Sequence, residues 1–210
     1  MSNVKIEGNA SGTGTFTIAA PNSNTDRTFN LPDEAGTVLT NSSSINTSQL
    51  AGTGNITTAR VYRVNLSFSG SSGTISSNWE EADTDGAGGF GSSPTVDGSG
   101  VWTFPSTGYW LIDYKFRVNQ NVDLGYMEVF LEYTGDNGTN WSEAANGITG
   151  WGTRTSGVYS SAIQGKALFD ITDTANQKLR ITYAGSASLN FEGNSGTNAN
   201  HLSFMRIGDT

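Results

Sequence analysis

The stretch from Val101 to Tyr133 constrains the fold more than any other. Along VWTFPSTGYWLIDYKFRV (101–118), Trp110, Ile112, Tyr114, Phe116 and Val118 share one parity, while Asp113, Lys115 and Arg117 take the other. Successive side chains of a strand point to opposite sides, so this period of two marks a half-buried strand. After a polar break at Asn119-Gln120-Asn121, LGYMEVFLEY (124–133) repeats the pattern, with Met127, Val129, Leu131 and Tyr133 set against Glu128 and Glu132. The spacing predicts a β-hairpin with one apolar face, which needs a second sheet to cover it.

The chain after position 59 continues in the same style. ARVYRVNLSFSG (59–70) predicts a strand with Tyr62, Val64, Leu66 and Phe68 on one face. Residues 69–100 are rich in Gly, Ser and Asp and predict a long turn, in which Asp85-Gly86 and Asp97-Gly98 are turn dipeptides. Ser77 with Glu80 fits the cap of a single helical turn. GDNGTNWSEAANGITGWG (135–152) predicts a tip loop, where Asn140 with Glu143 fits another helical turn ending at Gly147. Three further strands are predicted from VYSSAIQGKALFDIT (158–172), KLRITYAG (178–185) and NHLSFMRIG (200–208). Ala167, Phe169, Ile171, Leu179, Ile181 and Tyr183 supply inward faces. The total, roughly eight strands, has the size of an antiparallel jelly roll or a similar sandwich. With 27 glycines and only 14% charged residues, the composition suits strands and tight turns, not helices.

Residues 1–58 form a separate domain in this reading, with the head at 59–210. The apolar residues Phe16, Ile18, Phe29, Leu31, Val38 and Leu39 are too few for an independent core. A disordered linker and a thin extended or β shaft, whose core three copies share, are both open. Some large apolar residues of the head sit in the wrong parity. Tyr109 and Leu111 lie on the face that carries Asp113, Lys115 and Arg117, and Phe130 lies between Glu128 and Glu132. Clustered outward apolar groups point to an interface, and closed symmetry in a homotrimer satisfies both domains at once. Single surface aromatics are the plainer alternative.

Several functions are excluded or disfavoured by composition. A net charge of −8 argues against a nucleic-acid partner, which requires a Lys/Arg surplus. The absence of cysteine removes disulfides and thiolate metal sites. No apolar run predicts membrane insertion. MSNVKIEGNA has neither a basic region nor the apolar core of a signal peptide, so synthesis in a cytoplasm is expected. His201 stands in a polar stretch, and no nucleophile-elbow motif accompanies it. The pairs Glu80/Glu81, Asp83/Asp85 and Asp170/Asp173 read as solvated turns. Asp83, Asp85 and Asp97 offer oxygens for calcium without the twelve-residue loop pattern, and GAGGFG (86–91) lacks the context of a phosphate loop. No enzyme, no cofactor and no metal is expected. The recognition candidates are Trp141, Trp151 and Arg154 among Asn140, Asn146 and Thr153, with Trp79 a second exposed tryptophan. Exposed indoles stack on sugar faces while amides and hydroxyls bond their edges. The alternative is that these tryptophans close the sandwich, more so for Trp151, which glycines flank.

Two resemblances extend this reading. TFTIAAPNSNTDRTFNLPDEAGTVLT (15–40), through Thr28, Phe29, Leu31, Pro32, Asp33 and the run Gly36 to Thr40, resembles a segment of bacteriophage tail-fibre and other structural proteins, especially marine ones. It implies a virion-proximal or shaft position. Trp102-Thr103-Phe104-Pro105 with Gly108-Tyr109, and the closing run Leu202 to Gly208, resemble the superfamily of tumour-necrosis-factor and complement globular heads. That resemblance implies a trimeric jelly roll. Together they imply a homotrimeric virion fibre protein, on tail or capsid. Residues 1–58 would meet other virion proteins, and the head a host surface glycan. A purely structural capsid decoration or neck/tail protein, and a non-viral complement-like adhesin, are the alternatives.

Overall fold

A computed structural model of the chain describes residues 11–15, 17, 22–26, 28, 56–84, 86–120, 125–153 and 157–210. The chain divides into two units, Met1–Ser44 and Ile45–Thr210. Every strand among the described residues lies in the second. Expectations for the shaft or attachment role of residues 1–58 fall almost wholly outside the described residues.

The strands are β1 (Thr58–Val64), β2 (Leu66–Thr74), β3 (Trp79–Glu81), β4 (Thr95–Val96), β5 (Val101–Thr103), β6 (Gly108–Gln120), β7 (Gly125–Thr134), β8 (Ser142–Trp151), β9 (Tyr159–Ile171), β10 (Lys178–Asn194) and β11 (His201–Gly208). Eight of them have seven residues or more, which is the count expected for the sandwich, and β3, β4 and β5 are short additions. All pairings are antiparallel. One layer runs β3-β1-β11-β6-β9 and the other β2-β10-β7-β8, with β5 and β4 continuing beyond β10 where β2 leaves it. β10 also pairs with β6 at Asn190 and Phe191, so one long strand ties the layers together. The fold is an all-β jelly roll.

The core follows the alternation. Trp110, Ile112, Tyr114, Phe116 and Val118 of β6 are fully buried, as are Met127, Val129 and Leu131 of β7 and Leu179 and Ile181 of β10. Aromatic rings join the layers: Trp102 of β5 lies 4.7 Å from Tyr62 of β1 and 5.0 Å from Phe204 of β11, in edge-on and tilted geometries. Such contacts add to the area buried because ring edges meet ring faces. The Phe104-Pro105-x-x-Gly108 turn opens β6. Gly108 takes φ 133°, and a Cβ there would lie 2.5 Å from the Gly208 carbonyl, so only glycine fits.

The predicted hairpin of 101–133 does not form. β6 pairs with β11 and β9, whereas β7 pairs with β10 and β8, so the chain crosses from one layer to the other after Gln120. Alternation belongs to a single strand and fixes its buried face; it carries no information about the neighbour. The two apolar faces meet across the core rather than side by side. The predicted helical turns at 77–80 and 140–147 are also absent, and no helix occurs among the described residues. Most of the predicted tip loop is strand β8, and the long turn of 69–100 contains the end of β2 with β3 and β4. Leu66, expected inward, is exposed because the chain breaks at Asn65 between β1 and β2, which resets the parity. KLRITYAG continues to Asn194 through a register shift between Ala184 and Leu189.

Candidate functional site

The outward face of the β10-β7-β8 layer gathers the polar and aromatic groups best placed for recognition. Register sets them in rows: Arg180, Glu132 and Glu143; then Thr182, Phe130 and Asn146; then Ala184, Glu128 and Ile148. Arg180 Nε donates to Glu132 Oε2 at 2.7 Å, and the Thr182 hydroxyl donates to the same oxygen at 3.1 Å. The Arg180 guanidinium carbon stands 4.3 Å from the centre of the Trp141 ring. Glu132 and Glu143 are directly opposed carboxylates, and Arg180 offsets that repulsion. The arrangement presents an indole, a phenyl ring and hydrogen-bonding groups on one surface, which suits a ligand with both apolar faces and hydroxyl edges.

The turn before β8 holds Trp141 in place. Asp136 Oδ1 accepts from the Thr134 hydroxyl at 2.6 Å and from the Asn140 backbone N–H at 2.9 Å, and its Oδ2 accepts from the Asn140 amide at 2.6 Å. These donors hold the Asp136 carboxyl at a pKa of about 2, the Asn140 N–H being the largest cause. Trp141 Nε1 donates to the Gly138 carbonyl at 3.1 Å. Asn137 adopts φ 56° and its N–H reaches the carbonyl of Asn176. That contact joins this turn to the neighbouring one, where Asn176 and the Ala175 N–H lower the Asp173 pKa.

The structure separates several residues that the sequence grouped. Asn140 and Trp141 lie in the turn just before β8 and Trp151 at its far end, about 30 Å away along an extended strand. Trp151 is 8% exposed and belongs to the core. Trp79 packs on Trp102 at 5.3 Å and donates to the Ile75 carbonyl, so it is a packing residue at the core margin. Arg154 lies outside the described residues. Phe130 sits on the face of Trp141, whereas Tyr109 and Leu111 belong to the opposite layer. His201 faces outward in that layer, its Nδ1 at 2.8 Å from the Asn198 carbonyl. Asp97 caps its own turn through the N–H groups of Ser99 and Val101, and Asp83 pairs with Arg63. Among the described residues no group of three His, Cys, Asp or Glu side chains converges as for a metal ion.

Sequence reasoning missed Arg180, Glu132 and Thr182 as partners, since only pairing register brings them together. It also missed Arg63. This side chain is 1% exposed and bonds Glu80 at 2.8 Å, Asp83 at 2.9 Å and the Thr84 hydroxyl at 2.9 Å. Its guanidinium is the main reason the Glu80 pKa falls.

The β1-β11-β6-β9 layer differs. Ala59, Met205, Leu111 and Leu168 stand directly opposite one another on four adjacent strands and form an outward apolar row. Leu168 is 56% exposed, and Phe90, bridged to Ala59, is 52% exposed. The next row, Val61, Ser203, Asp113 and Lys166, is largely polar.

No protein-family profile matches the sequence, and no curated protein does. Solved structures share the fold. The Eiger TNF structure from S. frugiperda superposes with a TM-score of 0.51 at 12% identity, over 72% of this chain and 93% of that one. Murine APRIL at pH 8.5 superposes with a TM-score of 0.50 at 9% identity, over 71% of this chain and 98% of that one. The head therefore has the jelly-roll fold of tumour-necrosis-factor type, as the Trp102–Tyr109 and Leu202–Gly208 segments led one to expect.

Proposed function

We propose that the chain is a homotrimeric recognition protein of a bacteriophage particle, carried on tail or capsid. The jelly roll faces the host surface, and residues 1–58 attach to other virion proteins. The observation that carries the assembly is the apolar row Ala59–Met205–Leu111–Leu168, unbroken across four strands of the layer's outward face. Contiguous outward apolar groups in register are what an interface between copies buries. The phage setting rests on the segment at 15–40. In this assembly three copies of the Trp141–Arg180–Glu132 corner, with Phe130 and Asn146 beside it, act together on a surface glycan, each weakly and the three by avidity.

A glycan array probed with the purified protein tests the reading. Saturable binding that weakens strongly with Trp141→Ala, and by on the order of a hundredfold with Leu168→Glu, is the expected result, since the second change removes avidity. A flat array contradicts glycan recognition and favours a purely structural virion role. Immunogold labelling of intact particles tests the phage setting, with label on tail or capsid expected.

A further inference from the structure

The long strand β10 leaves one layer for the other between Ala184 and Asn194, and a pocket opens at that crossing. Its register with β2 shifts on either side of Leu189–Phe191, while Asn190 and Phe191 pair with Asn119 and Val118 of β6. Bulges of this kind re-aim side chains. The cavity measures about 220 Å³ and is lined by Ser67, Phe68, Ser69, Asn119, Asn190 and Glu192, with Phe191 at its floor.

The lining has a specific chemistry. Phe68 and Phe191 stack at 4.6 Å and 9°, forming an apolar wall. Around it stand two amides, two hydroxyls and one carboxylate, each oriented by a second partner. Ser69 Oγ donates to Asn190 Oδ1 at 2.6 Å, which fixes the amide and leaves its Nδ2 without a bond to the described residues. Asn119 accepts from the Ser160 hydroxyl at 2.6 Å and donates to Glu192 Oε2 at 3.2 Å. Glu192 is ion-paired with Arg117, so the pocket has almost no net charge although it holds a carboxylate. The Glu192 Oε1 oxygen faces no protein donor among the described residues. A planar amide donor and a carboxylate acceptor held beside an apolar wall match adjacent hydroxyls on a ring with apolar faces. The volume is below the ~300 Å³ at which drug-sized pockets begin, so it takes one ring.

We propose that this pocket binds a single neutral hexopyranose unit, through Asn190 Nδ2, Asn119 and Glu192. This is a second glycan position, distinct from the Trp141 corner, and it extends the recognition reading without requiring the trimer. A protein of net charge −8 with a neutralised pocket disfavours anionic sugars.

Saturation-transfer NMR on the full chain, with methyl glucoside, methyl galactoside, methyl mannoside and sialyllactose as probes, tests it. Transfer to the ring protons of at least one neutral glycoside is expected, with little to sialyllactose. Asn190→Ala should weaken binding by about tenfold, and Ser69→Ala, which frees the Asn190 amide, by less. Both residues are exposed, so the fold is retained, and unchanged circular dichroism confirms this. Trp141→Ala should leave this binding intact. No transfer from any neutral glycoside, or transfer indifferent to Asn190→Ala, overturns the inference. Transfer lost with Trp141→Ala alone also overturns it, while supporting the proposed function at the turn corner.

Discussion

The two outward faces of this jelly roll are made by the same period-two rule and end up with opposite characters. On β10-β7-β8, aromatic residues stand among polar and charged ones, and Arg180 both pairs with Glu132 and stacks on Trp141. On β1-β11-β6-β9, apolar residues stand in register across four strands, and Leu168 is 56% exposed. A face of the first kind is stable in water and available to a polar ligand. One of the second kind gains by meeting another copy. The contrast is the basis for the proposal that one layer recognises and the other assembles.

The largest effect comes from the core that both faces share. Trp102→Ala removes a ring in contact with Tyr62, Trp79 and Phe204 and should cost about 3–5 kcal/mol in chemical denaturation, abolishing glycan binding and assembly together. Next in size, Leu168→Glu should separate the faces. A carboxylate placed in the row should raise the dissociation constant by about a hundredfold or more, measured by mass photometry, while the denaturation midpoint of the isolated head barely moves. A smaller change is expected from Arg180→Ala, which uncovers Trp141 and leaves Glu132 facing Glu143. The cost should be about 1 kcal/mol, with assembly unaffected. A loss of assembly here would break the contrast.

The smallest effect concerns the Asp136 turn. Its carboxyl is held at about 2 against an ordinary 3.8, so the ionised form is favoured by folding. The stabilisation is fully present above about pH 4 and is lost as pH falls towards 2. The gap in midpoint between the native chain and Asp136→Asn should be constant above pH 4 and close near pH 2. A gap that grows on acidification would contradict the turn geometry.

Much of this was legible in the sequence because alternation is local. The inward sets of β6, β7, β9 and β10 follow from parity, and so do the outward positions of Tyr109 and Leu111. Pairing is not local. The apolar row needs Ala59, Met205, Leu111 and Leu168 to be brought level from four distant segments. The Arg180–Glu132 pair likewise depends on which strand lies beside β7, which is why the hairpin prediction failed. Arg63 escaped notice because arginine is rarely buried unless paired, and its partners, Glu80 and Asp83, read as a solvated run. Trp79 and Trp151 are both recognition candidates in the sequence, with closing the sandwich as the alternative, more so for Trp151 between its glycines. The core position of Trp151 and the packing of Trp79 on Trp102 follow that alternative.

Sedimentation equilibrium of the intact protein bears most directly on the division of labour between the faces. A species of three times the 22.1 kDa chain mass, reduced to one chain by Leu168→Glu with the strand spectrum unchanged, is the predicted result. A stable 22.1 kDa monomer at micromolar concentration, with Leu168 in solvent, would contradict it.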